Sequence, residues 1–469
     1  MPLIFPSNTL SGGYTVDNSC RFNDGDSDYL DKTFASSGTS DKIFTTSVWL
    51  KRSELGAEQG IFTAGTSQRE FIRFESDGTL TYRRAAGTTF QLTTSQVFRD
   101  PSAFYHIIIA VDTTQGTASN RVKFYVNGSQ ITSFGTETYP AQNYLPKIGG
   151  GQTYNIGRDS EQSTPYYDGY MAEFVFIDGQ QLTPTSFGEF DSASPTIWKP
   201  IDVSELTFGT NGFYLDFEDS ADLGADVSGN SNDFTVNNLT SVDQTTDTPT
   251  NNFCTMNPIT MSSLAALAEG NLKVLAASAS DNGNTQITFA PQVGKWYFEC
   301  KLTIDSATYP RIGIAPIESV GRLLNANDGL IGVITGSAAQ YANGDKYISG
   351  AQTADYGESY STGDIMGIAL DFDNGAFYTS KNNAWQGSSD PESGASKTNA
   401  LFTWTAGAEE YIAGVTTYST SSAAEMNFGG CQSFTISSGN ADADGYGNFE
   451  YAPPSGYYAL CTKNLAEYG

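Results

Sequence analysis

The stretch GDIMGIALDFDNGAFYTSKNNAWQ, residues 363–386, constrains the fold more than any other part of the chain. Apolar residues alternate with other residues on both sides of Asn374-Gly375, a pattern that predicts two antiparallel strands joined by a tight turn. We expect a type I′ turn there, because both of its central positions need a positive φ angle, which Asn and Gly adopt readily. A second turn is predicted at Asn382-Asn383.

Length and charge limit the remaining possibilities. A length of 469 residues exceeds what one compact core usually contains and predicts two or three domains. Aromatic residues make up 13% of the chain and charged residues 16%, a balance that favours strand-rich domains over disorder. The formal net charge is −28, so we expect neither nucleic acid nor an anionic membrane surface as a partner.

The cysteines and the apolar segments give no sign of secretion or of membrane insertion. Five cysteines lie far apart without a CxxC pair, so neither a zinc site nor a disulfide framework is predicted. The opening MPLIFPSNTL lacks the basic and long apolar regions of a signal peptide. The most apolar run, residues 107–111, is too short to span a bilayer. We therefore expect folding in a reducing compartment.

Residues 1–200 form the first predicted domain, in which strand patterns alternate with turns at Asp77-Gly78 and Asn127-Gly128. Five motifs follow in order: CRFNDGDSDYL, SVWLKRS, FYHIIIAVD, VKFYVNG and YYDGYMAEFVFIDGQQL. Their order is similar to that of laminin-G-like, concanavalin A-like jelly rolls over most of residues 14–185. The resemblance implies a sandwich of two sheets whose loops often bind carbohydrate or calcium.

Residues 201–258 differ in composition and are predicted to form a linker region that contains strands. Asp, Asn, Ser, Thr and Gly dominate this segment, and residues 240–252 are interpreted as the connection itself. Two arrangements of the segment remain open. It either packs back on the first sandwich or bridges the two domains.

Residues 259–469 form the second predicted domain. The motifs GKWYFE, IGIA, the stretch 363–386 and MNFGG follow in the order found in SPRY domains, which are β-sandwiches used mainly for binding. The second domain therefore resembles that family. The predicted fold class is all-β, with two antiparallel β-sandwiches joined by a polar linker, the first like concanavalin A and the second like SPRY.

No catalytic site is predicted. The single histidine, His106, lies in the strand pattern FYHIIIAVD and is interpreted as a structural imidazole, with a catalytic or ligand role as the alternative. Glycosidases need two carboxylates about 5–10 Å apart. The nearest pair, in Glu189-Phe190-Asp191, is predicted to lie in a turn region. We therefore expect a protein that is not an enzyme, with a hydrolase as the minority alternative.

No cofactor is expected, although calcium is harder to exclude than the others. Hard oxygen ligands from acidic loops suit Ca²⁺, but the spacing here lacks the twelve-residue loop pattern. Plain Asx turns are the preferred interpretation, and no metal site is predicted. Two acidic clusters are concerned, Asp24, Asp26 and Asp28, and Asp216, Asp219, Asp222, Asp226, Asn230 and Asp233.

The predicted binding residues lie in QYANGDKYISGAQTADYGESY, residues 340–360, which we call the tyrosine segment. Rigid aromatic side chains beside amides and carboxylates suit sugar faces or protein partners. The SPRY resemblance implies the same region, because loops at one end of that sandwich form its binding surface. The alternative is that half of the tyrosines pack on the sheet. The candidate residues are Tyr341, Asn343, Asp345, Tyr347, Tyr356 and Tyr360.

A second surface feature is the densest group of positive charges in this acidic chain. It contains Arg69, Arg73, Arg83 and Arg84. Pairing with nearby acidic residues across the strands is the default interpretation. Contact with an acidic copy of the same chain or with another acidic protein is the alternative.

The combination of these two domains, an acidic surface and the ending PPSGYYALCTKNLAEYG, residues 453–469, resembles virion proteins of marine bacteriophages of the cyanophage and pelagiphage type. The resemblance implies a structural appendage, a tail fibre or adhesin on the virion surface, assembled in the host cytoplasm. Its expected partners are other virion proteins, a host cell-surface glycan and further copies of the chain, with a trimer favoured. A capsid-decorating head fibre is the alternative, and a glycan depolymerase is a more distant one.

Overall fold

The computed structural model describes residues 13–66, 68–85, 87, 89–160, 165–278, 282–304, 309–325 and 329–469. The prediction for MPLIFPSNTL lies outside these residues. The chain divides into two compact units with a boundary between Asn251 and Asn252. Strands dominate both units, which confirms the predicted all-β fold class. Among the described residues, no helix is long and apolar enough to cross a membrane.

Among the described residues, the first unit contains two eight-stranded β-sheets and a separate two-stranded sheet. Its strands are β1 (Ser19–Phe22), β2 (Tyr29–Thr33), β3 (Ile43–Arg52), β4 (Gln59–Ala64), β5 (Glu70–Phe74), β6 (Thr79–Arg84), β7 (Gln91–Val97), β8 (Tyr105–Asp112), β9 (Val122–Val126), β10 (Ser129–Ile131), β11 (Phe134–Thr138), β12 (Thr153–Ile156), β13 (Gly169–Asp178), β14 (Gly188–Phe190), β15 (Trp198–Pro200), β16 (Phe213–Leu215), β17 (Thr235–Asn237) and β18 (Gln244–Thr245). Sheet A has the order β10-β9-β8-β3-β13-β1-β18, and β16 also pairs with β13. Sheet B has the order β11-β7-β6-β5-β4-β12-β2-β17, and β14 pairs with β15 separately.

The main core of the first unit lies between sheets A and B. Strand alternation sends every second side chain into this space, where aromatic rings pack against one another. The ring of Phe62 on sheet B lies 5.4 Å from that of Phe174 and 5.9 Å from that of Phe176, both on sheet A. These contacts hold the two sheets together as a sandwich.

Both hairpins predicted in the first unit are confirmed. Strands β5 and β6 pair on either side of Asp77-Gly78, and β9 and β10 pair on either side of Asn127-Gly128. Asn127 has a φ angle of 47° and Gly128 one of 78°, which is the combination that a type I′ turn requires. The second of these turns lies beside the groove described below.

The structure places residues 201–251 differently from the predicted linker. Several of their apolar side chains cover the face of sheet A that points away from the main core. This second cluster contains Ile108, Ala110, Tyr125, Val175, Ile177, Phe187, Val203, Phe208 and Tyr214. Strand β16 pairs with β13 and β18 pairs with β1 in sheet A, and β17 pairs with β2 in sheet B. Of the two arrangements left open, the segment packs back on the first sandwich.

The same correction applies to residues 240–252, because their carboxylates neutralise buried cations of the first unit. Asp243 lies 2.9 Å from the guanidinium of Arg21, and Asp247 lies 2.8 Å from the ammonium of Lys51. All four side chains are buried. Since an unpaired buried charge is costly, this polar segment is required inside the unit rather than beside it. Its polar composition reflects ion pairing and not a free connection.

The second unit also contains two sheets. Its strands are β19 (Ala265–Ala268), β20 (Lys273–Ala276), β21 (Asn282–Gln286), β22 (Lys295–Thr303), β23 (Arg311–Pro316), β24 (Ala338–Gln340), β25 (Lys346–Ile348), β26 (Ala351–Thr353), β27 (Ile365–Asp371), β28 (Ala376–Lys381), β29 (Ala384–Trp385), β30 (Phe402–Thr403), β31 (Tyr411–Tyr418), β32 (Ala423–Asn427) and β33 (Tyr458–Ala459). Sheet C has the order β19-β20-β32-β22-β27-β28-β29, with β30 beside β28 and β33 parallel to β22. Sheet D has the order β21-β31-β23-β24-β25-β26.

Helical segments are short in both units. The α-helices are α1 (Val320–Leu323) and α2 (Thr462–Tyr468). The 3₁₀ turns are Asp24–Asp26, Ala118–Asn120, Pro184–Ser186, Ser241–Asp243, Pro258–Thr260, Ile317–Ser319, Gln386–Ser388 and Pro391–Ser396. Strands and the loops between them therefore position the side chains of every candidate site.

The hairpin at residues 363–386 is confirmed, but its first turn differs from the predicted type. Strands β27 and β28 pair in register, with Asp371 opposite Ala376, so the loop between them has four residues and not two. Gly375 has a φ angle of 74°, whereas Asn374 does not have a positive φ. The carboxylate of Asp371 accepts hydrogen bonds from the backbone and side-chain N–H groups of Asn374, which stabilises the longer loop. At Asn382-Asn383 both φ angles are positive, as predicted.

Candidate functional site

The tyrosine segment forms the edge of sheet D, and two of its aromatic rings stack on each other. Tyr341 follows β24 and is only 2% exposed, because its ring stacks on Tyr347 with 3.9 Å between the centroids. The guanidinium of Arg311 covers the ring of Tyr341 at 4.1 Å. Tyr360 is also buried. The rings of Tyr341 and Tyr360 are therefore parts of the packed structure and are not available to a ligand.

The polar members of the tyrosine segment bond to one another as well. The carboxylate of Asp345 accepts hydrogen bonds from the side chain of Asn343 at 2.7 Å, from the side chain of Gln352 at 2.5 Å and from the backbone of Asp355 at 3.0 Å. Burial alone would raise the pKa of Asp345, but the hydrogen bonds, led by that from Gln352, lower it. This carboxylate stabilises the β25–β26 turn region from within.

Two candidate tyrosines keep part of their surface open. Tyr347 and Tyr356 are both half-buried. The hydroxyl of Tyr356 donates a hydrogen bond to the carbonyl of Asn399 at 3.2 Å, and the ammonium of Lys346 lies 4.6 Å from its ring centroid. Of the predicted binding residues, Tyr341, Asp345 and Tyr360 are buried, whereas Tyr347 and Tyr356 are partly open, and their binding role stays a prediction.

A groove of about 490 Å³ in the first unit offers a different kind of surface. It lies beside the edge strand β10, next to the end of β7, and the segment from β14 to β15 closes it on one side. Its lining consists of Gln96, Val126, Asn127, Ser129, Gln130, Ile131, Thr132, Ser133, Phe190 and Thr196. None of these lining residues is charged, although the chain as a whole carries a net charge of −28.

The polar side chains of the groove are largely uncommitted. Within the described part of the chain, no hydrogen bond is made by the side chains of Gln96, Ser129, Gln130, Thr132 or Thr196, all of which are exposed. Amides and hydroxyls both donate and accept hydrogen bonds. Phe190 is 46% exposed and presents an apolar surface beside them. This combination suits an uncharged ligand that has many hydroxyl groups and also an apolar face.

The wall behind Phe190 is fixed by Trp198 and His106. The ring of Phe190 packs edge-on against Trp198 at 4.9 Å, and the indole N–H of Trp198 donates to Nδ1 of His106 at 2.8 Å. Because indole is only a donor, Nδ1 accepts, so Nε2 carries the proton and donates to Oγ of Ser47 at 2.7 Å. Burial lowers the pKa of His106 to about 3. The backbone N–H of His106 also donates to the side chain of Asn127, at the rim of the groove.

His106 is therefore placed as the sequence predicts, as a structural imidazole. Trp49 stacks on one face at 4.4 Å with nearly parallel rings, and the imidazole is fully buried. Both ring nitrogens have neutral partners, which keeps the imidazole uncharged. The residue supports the groove from behind and does not enter it.

Glu189 and Asp191, the two carboxylates considered as a glycosidase pair, both lie within ion-pair distance of Lys199. Glu189 lies in β14, in contrast to the predicted turn, and its side chain is 3.4 Å from the ammonium of Lys199. The same ammonium lies 3.3 Å from the carboxylate of Asp191, which is buried. Through these ion pairs, both acids stabilise the β14–β15 hairpin.

The acidic clusters considered for calcium form turns. The carboxylate of Asp226 accepts hydrogen bonds from the backbone N–H groups of Tyr214, Ser228 and Asn232. Asp216, Asp219 and Asp222 each accept one from the backbone two residues further on. Among the described residues, no group of three or more His, Cys, Asp or Glu side chains is arranged to hold a metal ion.

The arginine group divides into paired and unpaired members. Arg69 pairs with Asp159, and Arg73 lies 2.7 Å from Glu58 and 2.8 Å from Glu75, as the default interpretation predicts. Arg84 instead donates to the neutral side chain of Tyr144. Arg83, half-buried beside Phe71, has no hydrogen bond or ion pair with any residue that the structure describes.

Part of the first unit is similar to a known family of proteins. Residues 24–186 match the model of the Concanavalin A-like lectin/glucanases superfamily (Laminin_G_3). This match confirms the predicted resemblance for most of sheets A and B. A search of curated protein sequences gave no match.

Solved structures that match part of the chain include SPRY domains and a pentraxin. The SPRY domain of human HERC1 is 13% identical, with 38% of this chain and 97% of that one covered and a TM-score of 0.29. A human SPRY domain is 14% identical, with 35% of this chain and 95% of that one covered and a TM-score of 0.25. The heptameric SAP-like pentraxin of Limulus polyphemus is 19% identical, with 36% of this chain and 78% of that one covered and a TM-score of 0.27.

The groove residues were not predicted as a site from the sequence. The turn at Asn127-Gly128 is detectable by its local pattern, and it does form one rim. The rest of the lining comes from separate segments around Gln96 and from Phe190 to Thr196. The available signal was Phe190, an aromatic residue in a Ser/Pro-rich stretch. The sequence around it does not indicate which residues line the other side of the groove.

Proposed function

We propose that this protein binds glycans without cleaving them, and that the groove beside β10 holds the sugar. The observation that carries the proposal is the uncharged lining of a groove of about 490 Å³ in a strongly acidic chain. A neutral sugar ring fits this chemistry, since its hydroxyls pair with amide and hydroxyl side chains. Its apolar face can pack on Phe190. The match of residues 24–186 to a superfamily that includes lectins supports the same class of ligand.

Rigidity of the groove also supports binding. Phe190 is held by Trp198, which is held in turn by His106, so the aromatic surface is ordered before a ligand arrives. A preorganised surface loses less conformational entropy on binding than a mobile loop does. Glu189 and Asp191, the acids nearest to Phe190 in sequence, share Lys199 as a partner. This pairing supports the proposal that the site binds and does not hydrolyse.

We propose further that glycan binding serves attachment, with the protein carried as a tail fibre or adhesin on a bacteriophage particle. This part of the proposal rests on the sequence resemblance to virion proteins. Host surface glycan, other virion proteins and further copies of the chain are the partners it implies. Immunogold labelling of purified particles tests it, because label confined to the capsid would favour the head-fibre alternative and absence of label would exclude both.

A glycan array with matched variants tests the binding proposal. Phe190→Ala removes an aromatic ring that is 46% exposed, so folding should be unaffected. Loss of its contact with the sugar should cost about 1.5 kcal/mol, or about a tenfold weaker Kd. Leu145→Ala is the control, since Leu145 is 54% exposed in the same unit and does not line the groove.

We expect the wild-type chain and Leu145→Ala to bind the same neutral glycans, and Phe190→Ala to lose most of that signal. Equal binding by all three proteins would place the sugar site elsewhere. Shortened glycan products after prolonged incubation would contradict the proposal that the protein is not an enzyme.

A further inference from the structure

A buried glutamate occupies a bulge in the first unit. Glu173 lies in β13 and is 5% exposed. The strand is bulged at this position, because its register with β3 shifts between Ala172 and Val175. Glu173 has a φ angle of 51°, which is uncommon for a residue other than glycine. Bulges re-aim side chains, and strained backbone persists only where the surrounding structure maintains it.

Two tyrosine hydroxyls meet the carboxyl group of Glu173. Oη of Tyr214, in β16, lies 2.7 Å from Oε2 of Glu173, and Oη of Tyr14 lies 3.2 Å from the same atom. The two hydroxyl oxygens lie 3.1 Å from each other. Each of these contacts is a hydrogen bond, so the three oxygens form a closed triangle.

The triangle contains one hydrogen bond more than its hydroxyls can supply. Each tyrosine hydroxyl has a single hydrogen, and an ionised carboxylate only accepts hydrogen bonds. Tyr14 and Tyr214 therefore donate two of the three bonds. The third bond requires a proton on the carboxyl group of Glu173, which then donates within the same ring of oxygens. The hydrogen bonding of the triangle is complete only when Glu173 is neutral.

The charges around the triangle favour the same neutral form. Among the described residues, no cation lies within salt-bridge distance of Glu173. Asp216 and Glu218, which follow β16, add negative charge near this carboxyl group, and Asp202 does so near the hydroxyl of Tyr14. Burial raises the pKa of Glu173 to about 7, against the opposite effect of the two tyrosine hydrogen bonds.

The triangle attaches the segment before β1 to sheet A. Tyr14 lies outside the strands and is half-buried, whereas Tyr214 and Glu173 belong to β16 and β13 of this sheet. The same segment is also held at Val16, whose backbone N–H and carbonyl bond to the hydroxyl of Thr250 at 3.1 Å and 3.0 Å. Neither of these two groups titrates, so a change in protonation acts on the segment through Tyr14.

We propose that Tyr14, Glu173 and Tyr214 form a proton-dependent latch, which holds Tyr14 on sheet A while Glu173 is neutral and releases it when the carboxyl group ionises. Ionisation removes one of the three hydrogen bonds and leaves a buried negative charge without a cation. Because such a charge is costly, the carboxylate gains hydration when the half-buried Tyr14 moves away. None of the three residues lines the groove beside β10, so the latch does not depend on the proposed function.

The linked stability has a definite sign. Folding raises the pKa of Glu173 from its usual value of 4.5 to about 7. The stability that the latch contributes is therefore complete below pH 4.5 and is lost as the pH rises through about 7. Burial also raises the pKa values of Glu70 and Asp28 in the same unit to about 7. A measurement at the latch itself is therefore needed, since global unfolding reports all three groups together.

Hydrogen–deuterium exchange of the full chain, read by mass spectrometry at pH 6 and pH 8, tests the proposal. The measured quantity is the exchange rate of a peptide that covers residues 14–18, corrected for the intrinsic rate at each pH. Between these pH values the ionised fraction of a group with a pKa near 7 rises from about 10% to about 90%. We therefore expect the corrected rate of the wild-type peptide to increase about ninefold.

Two variants fix the latch in its closed and open states, and a third is the control. Glu173→Gln should keep the low rate at both pH values, because a carboxamide does not ionise and its N–H donates the third hydrogen bond. Tyr14→Phe lacks one hydroxyl and should give the high rate at both. Glu70→Gln should retain the ninefold increase. Glu70 is the matched residue, since it is another buried glutamate of this unit that accepts hydrogen bonds from two tyrosines, Tyr144 and Tyr82.

Three results would overturn the proposal. The first is an equal corrected rate for the wild-type peptide at pH 6 and pH 8, and the second is an increase that persists in Glu173→Gln. The third is an increase that disappears equally in Glu173→Gln and Glu70→Gln, because the change would then belong to the whole unit and not to the latch. Thermal unfolding at pH 6 checks that each variant is folded before its exchange is measured.

Discussion

The groove of the first unit and the tyrosine segment of the second contain similar chemical groups in opposite states. Both combine aromatic rings with amides and hydroxyls. In the tyrosine segment the ring of Tyr341 is stacked and the carboxylate of Asp345 is fully hydrogen-bonded, so these groups stabilise their own fold. In the groove the side chains of Gln130 and Phe190 remain available to a ligand.

Composition alone does not distinguish a binding surface from a packed edge. Aromatic residues beside amides are favourable in both settings, since rings bury large areas and amides satisfy buried donors. What separates the two regions is whether the ring is enclosed on both faces. The ring of Tyr341 stacks on Tyr347 and is covered by Arg311, whereas Phe190 packs against Trp198 and stays 46% exposed.

The largest expected effect is on stability, when a buried ring of the tyrosine segment is removed. Tyr341→Ala should lower the free energy of unfolding by about 3 kcal/mol, because it removes a buried ring that contacts Arg311 and Tyr347. Urea denaturation measures this change, and Tyr341→Phe should retain most of the stability. A loss under 1 kcal/mol would show that the tyrosine segment is not a packed structural element.

A smaller effect is expected at the wall of the groove. Trp198→Phe leaves Nδ1 of His106 without its donor and should destabilise the first unit by about 1.5 kcal/mol. It should also weaken glycan binding, since Trp198 positions Phe190. Thermal unfolding and glycan titration check the two parts. If stability falls but affinity stays the same, the wall does not position the binding surface.

A single polar contact should have a still smaller effect. Gln130→Ala removes an exposed amide that has no partner within the described residues, so stability should not change. One lost hydrogen bond to a sugar corresponds to about 1 kcal/mol, or about a fivefold weaker Kd. Gln352→Ala is the contrasting variant, because Gln352 donates to Asp345 in the tyrosine segment and should affect stability alone.

The last prediction concerns pH and expects no change where an exposed histidine would titrate. His106 is the only histidine in the chain, so its imidazole signals in NMR spectra are assigned without ambiguity. With a folded pKa of about 3, these signals should not shift between pH 8 and pH 5. Titration near pH 6.5 would mean that the imidazole behind the groove is open to water.

The sign of the linked stability follows from the same pKa. The unfolded chain binds a proton at His106 near pH 6.5, whereas the folded chain does so only near pH 3. The stability that His106 contributes is therefore complete above pH 6.5 and decreases as the pH falls from there towards 3. This loss affects the wall of the groove, where His106 accepts the hydrogen bond from Trp198.

Local sequence patterns predicted the fold well. The features that could not be predicted depend on contacts that these patterns do not show. The turns at Asn127-Gly128 and Asn382-Asn383 follow from the φ preferences of their own residues. The loop after Asp371 differs from the predicted type, because an Asp side chain stabilises a four-residue turn that the Asn-Gly pair alone does not reveal. Residues 240–252 differ for a similar reason, since their ion-pair partners are more than 190 residues away in sequence.

The candidate site depends on contacts that the sequence alone does not show. Among the six predicted binding residues, three are buried: Tyr341 and Asp345 contact near neighbours in sequence, such as Tyr347 and Gln352, and Tyr341 is also covered by Arg311 from another strand. The groove brings together residues from β7, β9, β10 and the β14–β15 segment. Its neutral character becomes visible only when these segments are adjacent, because the chain around them is acidic.

The most direct test of the central claim compares Phe190→Ala with Tyr347→Ala on one glycan selected from the array. Both variants remove a partly exposed aromatic ring, one from the groove and the other from the tyrosine segment. Calorimetric titration should give about a tenfold weaker Kd for Phe190→Ala and an unchanged Kd for Tyr347→Ala. An unchanged Kd for Phe190→Ala together with a weakened one for Tyr347→Ala would contradict a sugar site in the groove and assign the sugar to the tyrosine segment.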